Sequence, residues 1–371
     1  MEVIKKVKLS EIAEVITKGT TPTTLGYEFQ PSGVNFLKIE CFDENGLFIK
    51  EKVTHISEEC NEKLKRSQLK KGDILFSIAG AIGRVAIVTD EMLPANTNQA
   101  LAIIRIANDE FYLPYIKLIL TSPIIKEQFE RKKQGVAQLN LSLKDIGELE
   151  IPFITIEKQK EILCIFDKVC ELISNRKQQL QQLDDLVKAR FVEMFGDYKI
   201  NNKGFQSKRG SELFKFSSGK FLPEEKRLKN GIPVYGGNGV AWYTNESLID
   251  YPTIIIGRVG AQCGNIHTVK NPVWITDNAI YIKEQKTDAY TLEFLSELMS
   301  IMNFYQYADF SGQPKITQKP LETLEYIMPP IELQIEYTNC VKQVDKTKVV
   351  VQKALNEAQT LFDSLMQEYF G

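Results

Sequence analysis

Over residues 156–196 apolar side chains recur in alternating steps of four and three: Ile162, Phe166, Val169, Ile173, then Leu180, Leu183, Val187 and Met194. The pattern returns over residues 331–371 with Tyr337, Val341, Val344, Val351, Leu355, Ala358, Phe362, Leu365 and Tyr369. This is the heptad seam of a coiled coil. Neither stretch holds Pro or Gly before its closing Gly, so nothing interrupts a helix. A helix of that length runs to about 60 Å. It has no loops of its own to bury its stripe, so the two stretches are expected to pair as one coiled coil. Arg176 and Arg190 in the first, and Lys348 in the second, interrupt the seams out of step. Buried polar seam residues of this kind set register.

The second stretch is a gapless copy of the first at a constant offset of 175 residues. Ile156, Glu157, Gln159 and Glu161 return as Ile331, Glu332, Gln334 and Glu336, and Phe195-Gly196 returns as Phe370-Gly371. Such a copy rarely arises by chance. Weaker parallels extend upstream. Residues 135–140 parallel residues 312–317, and each leads to a short extended run ending at Pro152 or Pro329, just before the long helix. Residues 97–101 parallel 276–280, and residues 74–83 parallel 254–264 as buried strands ending in Gly-rich turns. A helical patch is expected in each half, over residues 111–133 and 289–307. The order in each half is strands, a small helix, a strand, then the long helix. The halves differ most near their starts, where half one is basic at Lys63, Lys65, Arg66, Lys70 and Lys71 and half two at Lys226, Arg227 and Lys229.

Length and composition alter this picture little. A chain of 371 residues exceeds one ordinary core and predicts two domains with connectors. The N-terminal residues lack the apolar core of a signal peptide, and no run reaches the length that spans a membrane. The six cysteines have no CxxC spacing and only His55 and His267 are present, so no metal is expected and the thiols read as free in a reducing cytosol. A net charge of −2 argues against an indiscriminate nucleic-acid binder, but leaves a specific one with a local basic footprint. The second long stretch is itself net acidic, which places such a footprint in the globular parts.

Catalytic motifs are sparse. A GxxxxGK[ST] phosphate loop is absent. The run Tyr235-Gly236-Gly237-Asn238-Gly239 reads as a hairpin turn ahead of a phosphate cradle. Two histidines leave few members for a Ser-His-Asp or Cys-His arrangement. Met328-Pro329-Pro330-Ile331 has the outline of the amino-methyltransferase tetrapeptide. Met accepts no hydrogen bond from a target amine and Ile offers no ring to a flipped base, so the run reads as a helix entry.

Polar and aromatic residues beside the Gly-rich turns suit a nucleic-acid reader. They are Lys38, Ser77, Arg84, Asn96, Asn98, Gln99, Gln134 and Gln138 in half one. In half two they are Lys220, Tyr235, Asn238, Arg258, Gln262, Asp277, Asn278, Gln313 and Lys315. Asn and Gln read adenine bidentately, Arg reads guanine, and Asp accepts from cytosine. Lys and backbone N–H groups hold phosphates. An ordinary surface or turn role stands beside this reading for every one of them.

Taken together, the chain resembles the specificity (S) subunit of type I restriction–modification systems over essentially its whole length. The carriers are the paired helices opening Ile-Glu-x-Gln and closing Phe-Gly, and their alternation with two variable globular domains. Gly80 with Gly83, Gly260 with Gly264, the Gly-rich run from Tyr235, and the Thr-x-x-Ala pairs at Thr97 and Thr276 are also family-like. Half one has Ile78 where half two has Arg258, so the halves do not share that contact.

The resemblance implies an α+β chain with an internal pseudo-twofold repeat. Target recognition domains over residues 1–155 and 198–330 would be separated by an antiparallel pair of long helices, residues 156–197 and 331–371. Each domain would read one half of a split double-stranded DNA site. The helices, with Ile162, Phe166, Val169, Leu180, Val341, Val344, Leu355 and Phe362, would dock two methyltransferase subunits that modify adenine. Restriction subunits would join a complex holding one S chain. The chain would need no cofactor, perform no chemistry and work in the cytoplasm, away from membranes. Two readers facing one duplex are best related by a twofold axis. Tandem copies meet this only if the second is turned over, hence the antiparallel expectation. A self-contained or fused methyltransferase or nuclease component, and a coiled-coil protein-binding scaffold, are the rival readings.

Overall fold

The computed structural model describes residues 5–132 and 141–370. Gln134, Gln138, the parallel at residues 135–140 and Gly371 lie outside the described residues. The chain divides into two compact units, Met1–Asn175 with Ala354–Gly371, and Arg176–Lys353. Neither long helix forms a unit of its own.

In chain order the first unit holds β1 (Lys6–Lys8), α1 (Leu9–Ile12), β2 (Ala13–Lys18), β3 (Val34–Leu37), β4 (Thr54–Ile56), α2 (Glu58–Lys63), β5 (Ile74–Ser77), β6 (Val85–Ile87), β7 (Ala95–Thr97), β8 (Leu101–Ile106), α3 (Leu113–Leu120), α4 (Pro123–Lys132), α5 (Leu143–Gly147), β9 (Glu150–Pro152) and the first part of the long α6 (Ile156–Phe195). Its sheets run β2-β8-β5-β6, β4-β3-β7 and β1-β9. All pairings are antiparallel except β3 with β7.

The second unit takes up the rest of α6, then β10 (Gln206–Arg209), α7 (Gly210–Leu213), β11 (Phe214–Ser218), β12 (Ile232–Gly236), β13 (Gly239–Thr244), β14 (Thr253–Gly257), β15 (Ile266–Val269), β16 (Trp274–Ile275), β17 (Ala279–Gln285), α8 (Leu292–Ile301), α9 (Gln318–Thr323), β18 (Glu325–Met328) and the start of α10 (Ile331–Phe370). Its sheets run β11-β17-β14-β15, β13-β12-β16 and β10-β18, and β12 with β16 is the parallel pair. Strand for strand this is the order of the first unit, so the repeat in sequence is a repeat of topology.

The central strands explain the uninterrupted apolar runs. Along β5, Ile74 and Phe76 face the layer that holds Tyr115, Ile116 and Ile119 of α3. Leu75, between them, faces Leu37, Phe42 and Met92. In β14, Ile254 and Ile256 face Phe294, Leu295 and Leu298 of α8, while Ile255 faces Ile249, Val273 and Ile275. Alternate side chains point to opposite faces of a strand, so a strand covered on both faces is apolar throughout. The helical patch expected over residues 111–133 breaks into α3 and α4 at Pro123, because a residue before proline avoids helical backbone and proline has no N–H to continue the ladder.

Each core is closed by two helix ends. In the first unit Ile162 and Phe166 of α6 share one apolar cluster with Met366 and Phe370 of α10. The Phe166 ring lies edge-on to Phe362 at 5.4 Å and stacks on Phe370 at 5.8 Å. In the second unit Tyr337 of α10 lies 5.6 Å from Phe191 and 5.4 Å from Phe195 of α6. There Arg190 pairs with Glu336 at 2.7 Å and Lys348 with Asp184 at 2.6 Å. As α6 advances from Asp184 to Phe195 its partners run back from Lys348 to Glu336, so the helices are antiparallel. The seam residues Ile162, Phe166, Val169, Val341 and Val344 are buried inside the chain, with Leu180, Leu355 and Phe362 half-buried along the same stripes. As partner-docking positions they are corrected in this respect alone: their side chains pack within the chain.

The repeated glutamine has a matching place in each unit. Gln159 is fully buried; its Nε2 donates to Glu110 O at 2.7 Å and Ile154 O at 2.9 Å, and its Oε1 accepts from Tyr112 N at 2.8 Å. Gln334 is equally buried; its Nε2 donates to Ala289 O at 2.9 Å and Pro329 O at 2.8 Å, and its Oε1 accepts from Thr291 N at 2.8 Å. One amide thus satisfies the backbone before the small helix and the backbone at the entry to the long one. No described helix is long and apolar enough to cross a membrane.

Replacing Gln159 or Gln334 by Leu removes the side-chain partner of three largely part-buried backbone groups, each worth about 1–3 kcal/mol at most. Either variant is expected to lose at least about 2 kcal/mol in urea denaturation, and an unchanged midpoint would refute the anchoring role. Asp at Val169 or Val344 places an uncompensated charge in the seam. Both variants should melt well below the wild type; wild-type melting in both would contradict the buried pairing.

Candidate nucleic-acid interface

In the second unit four segments meet at one end of the β14 sheet. The β12–β13 hairpin turns at Gly237 and Asn238, with Gly236 paired to Gly239. Gly239 has φ 94°, a left-handed conformation that glycine adopts without strain. The hairpin tip lies against the end of β14. A Cβ on Gly257 would stand 2.7 Å from Gly237 O and 2.3 Å from Gln262 O, so this approach requires glycine. Backbone hydrogen bonds tie the segments together. Thr276 N donates to Tyr235 O at 2.9 Å, Arg258 N to Asn278 O at 2.9 Å, Gly260 N to Pro314 O at 2.9 Å, and Ile316 N to Arg258 O at 2.9 Å.

This framework brings the half-two candidates together. Asn238, Gln262, Asp277, Asn278, Gln313 and Lys315 are exposed, and Tyr235 and Arg258 half-buried, on loops that touch one another. Lys220 is exposed beside them, its N–H donating to Ile275 O at 2.8 Å. Arg258 Nη1 lies 3.4 Å from Asp277 O, a long contact that leaves the guanidinium able to reorient. Gln262 Oε1 accepts from Asn265 Nδ2 at 2.6 Å. The set offers amide donors and acceptors, cations and one carboxylate, which is the chemistry of base-edge and phosphate contact.

The first unit has the same framework with different side chains. Ile78 N donates to Ala100 O at 2.9 Å and Leu141 N to Ile78 O at 3.1 Å, mirroring Arg258. Three candidates are structural here. Asn96 is fully buried; its Nδ2 donates to Asn61 Oδ1 at 2.9 Å and Leu64 O at 3.2 Å, and its Oδ1 accepts from Thr97 N. Ser77 is fully buried and its hydroxyl donates to Ala79 O at 2.9 Å. Arg84 Nη1 donates to Phe42 O at 2.9 Å and holds the 39–42 turn. Asn96 and Ser77 are buried groups already satisfied by the fold and do not reach a ligand, so these two assignments are corrected, whereas Arg84 is half-buried with Nη1 engaged in the turn. Asn98 is half-buried and caps its own turn, accepting from Ala100 N at 3.1 Å. Gln99 is exposed and accepts from the Thr21 hydroxyl. Lys38 sits 4.4 Å above the Phe29 ring. Gln134 is outside the described residues.

Sequence reasoning missed the exposed aromatics around the second site. Phe221 is 63% exposed and Phe310 55%. Phe310 packs edge-on to Tyr305 at 5.2 Å, in the loop closed by the Asp309–Lys315 bridge. Trp242 on β13 lies 4.1 Å under the Arg227 guanidinium. The signal was available as aromatic residues next to the basic cluster at Lys226, Arg227 and Lys229 and next to Gln313.

Comparison with known proteins accords with this geometry. The type I restriction modification DNA specificity domain matches residues 1–184 and 202–359. The chain is 24% identical over 365 residues to the EcoprrI specificity subunit of Escherichia coli, covering 90% of this chain and 88% of that protein. It is also 24% identical over 393 residues to a putative MjaX specificity subunit of Methanocaldococcus jannaschii, covering 95% of this chain and 91% of that protein. Among solved structures, an S subunit from M. genitalium superposes with TM-score 0.57 at 19% identity, over 100% of this chain and 97% of that one. A chain solved in work on complex assembly and conformational transition of the type I system gives TM-score 0.66 at 16% identity, over 99% and 97%. The structural likenesses concern the fold, whereas the family match spans both halves of the sequence: the chain belongs to the specificity subunits of type I restriction–modification systems and carries their DNA specificity domain twice.

Proposed function

We propose that this chain is the DNA-reading, non-catalytic subunit of its complex, and that residues 1–155 and 198–330 each read one half of a split site in double-stranded DNA. The observation that carries this reading is the convergence of the Gly-rich turns on one edge of the second domain, where exposed Asn238, Gln262, Asp277 and Asn278 and half-buried Arg258 stand on loops held by backbone hydrogen bonds. The first domain repeats that framework with other side chains, as two readers of different half-sites require. Two methyltransferase subunits that modify adenine dock along the long helices, and restriction subunits join them around one S chain. Docking uses the outer helix faces, where Leu172, Leu186 and Val192 of α6 and Val349, Val350 and Leu361 of α10 are exposed. These exposed apolar side chains are the contacts such a partner would cover.

The non-catalytic reading is supported by the fate of the tetrapeptide that resembles a methyltransferase motif. Met328 is buried in β18, and Pro329 O accepts from Gln334 at the helix entry. The chain itself uses no cofactor; the chemistry belongs to its partners.

Exchanging residues 220–278 for those of a relative should change one half of the methylated sequence and leave the other intact, read by genome-wide mapping of methylated adenine. A change in both halves, or in neither, would refute the modular reading. Within the second domain, Asn238→Ala or Arg258→Ala should relax discrimination at one half-site by about 1–3 kcal/mol, with little effect on stability. Asn96→Ala should do the converse, lowering stability by about 1–3 kcal/mol without altering the methylated sequence, because it orphans buried groups.

A further inference from the structure

A cavity of about 390 Å³ lies beside the turn that carries Gln262. Ala261, Asn265 and His267 stand on one side of it, from the turn and the start of β15. Ser300, Asn303 and Tyr305 stand on the other, at the end of α8 and just after it. The walls meet at Gly264, where a Cβ would lie 2.6 Å from Tyr305 N. The volume falls within the roughly 300–1,000 Å³ of pockets that take small organic groups.

The lining is neutral. It contains no Lys, Arg, Asp or Glu, and burial holds His267 below the usual histidine range. A phosphate or any other ion therefore meets no counter-charge. Hydrogen-bonding capacity is present all the same. Asn303 is exposed, and its side-chain amide makes no hydrogen bond among the described residues. Asn265 spends Nδ2 on Gln262 Oε1 at 2.6 Å, which leaves its own Oδ1 to accept. The Tyr305 ring supplies an aromatic wall and is 40% exposed. Phe310, edge-on to that ring, extends the aromatic surface at the rim. Its loop is clamped by Asp309 N donating to Lys315 O at 2.9 Å and Lys315 N to Asp309 O at 3.1 Å. The same loop reaches the recognition edge, since a Cβ on Gly260 would lie 3.2 Å from Gln313 Nε2.

A neutral, flat group with a donor and acceptor edge fits such a lining, and a nucleobase is one. A paired base shows only its groove edge, so it enters a cavity only after leaving the stack. An apolar side chain beside the opening is the usual wedge that fills the gap. The first domain has other residues at these places. By the matching strand registers, Arg84 and Ala86 stand where Asn265 and His267 do, and Arg84 Nη1 is spent on Phe42 O.

We propose that this cavity is a subsite for a nucleobase turned out of the duplex at the half-site read by the second domain: Asn303 and Asn265 Oδ1 meet its edge, Tyr305 its face, and Phe310 fills the space it leaves. This rests on the reading that the second domain recognises one half-site.

The test uses the full chain assembled with the methyltransferase of its system, on duplexes carrying its mapped site. Each base pair of the second half-site is weakened in turn by an abasic residue opposite one base, and affinity is measured. Such a lesion costs affinity where the base is read in the duplex. Where the base must leave the stack, the unpairing is already done, and binding should tighten roughly five-fold or more. One such position is expected. The gain should vanish in Ala261→Trp, which fills the cavity from an exposed position. It should vanish also in Asn303→Gly, which removes the amide and keeps the left-handed backbone. Both variants should melt as the wild type and read the first half-site unchanged. A gain that survives in either folded variant belongs to the methyltransferase and overturns the proposal, as does a half-site where no lesion tightens binding. Adenosine and thymidine are also titrated against the chain alone. Saturable binding that Asn303→Gly abolishes, with no tightening position in DNA, would assign the cavity to a free nucleoside and overturn the extrahelical base. If the wild-type assembly prefers no two-part site, the reading of the second domain fails first and the proposal falls with it.

Discussion

The β5 and β14 sheets each present an apolar face that their own domain covers only in part. Ile74, Phe76, Ala102 and Ile104 lie against α3, and the remaining cover comes from Ile162, Phe166, Met366 and Phe370. Ile254, Ile256, Ile280 and Ile282 depend in the same way on Phe191, Phe195 and Tyr337. Removing apolar surface from water is the main favourable term in folding. A domain whose core needs the beginning of one long helix and the end of the other cannot be complete while those helices are apart. The antiparallel arrangement follows, because only that direction brings the start of α6 to the end of α10 in one unit and the reverse in the other. Aromatic pairs such as Phe166 with Phe370 add about 0.5–1.5 kcal/mol each beyond their buried area.

The buried glutamines convert this apolar association into a defined one. Hydrophobic contact is non-directional, whereas Gln159 and Gln334 each engage three backbone groups at fixed distances. The amide matches those groups only at one rotation and one height of the helix, so it sets how the long helix enters its domain. The ion pairs Arg190–Glu336 and Lys348–Asp184 add register along the second unit. Both are partly exposed, so their role is alignment more than net stability.

On this scaffold the two copies diverge where the loops leave the sheet. The glycines at 237 and 257 let backbone segments approach closely, and the side chains carried beside them then face outward without altering the core. In the first copy several polar residues in related places have been drawn inward. Asn96 links β7 to Asn61 of α2 and to Leu64, and Arg84 holds the turn at Phe42. The same residue types therefore serve as framework in one copy and as exposed candidates for reading DNA in the other.

The heptad spacing, the absence of Pro and Gly, and the gapless copy at 175 residues by themselves determined two long helices, an internal repeat and a family. These are local or periodic properties, legible without knowing what any residue touches. The apolar runs at residues 74–77 and 253–257 likewise marked central strands. Which polar side chains face outward was decided only by the tertiary structure. Asn96 and Asn238 are the same residue type beside similar turns, but Asn61 and Leu64, more than thirty residues away in sequence, enclose the first. The seam residues looked like contacts for a partner because their burial depends on a helix 175 residues downstream. His267 carried no local signal at all; its place against Gly239 and the Tyr235 ring arises from the packing of two sheets. Burial and hydrogen-bond satisfaction are set by neighbours remote in sequence, and for that reason only the fold separated framework from interface.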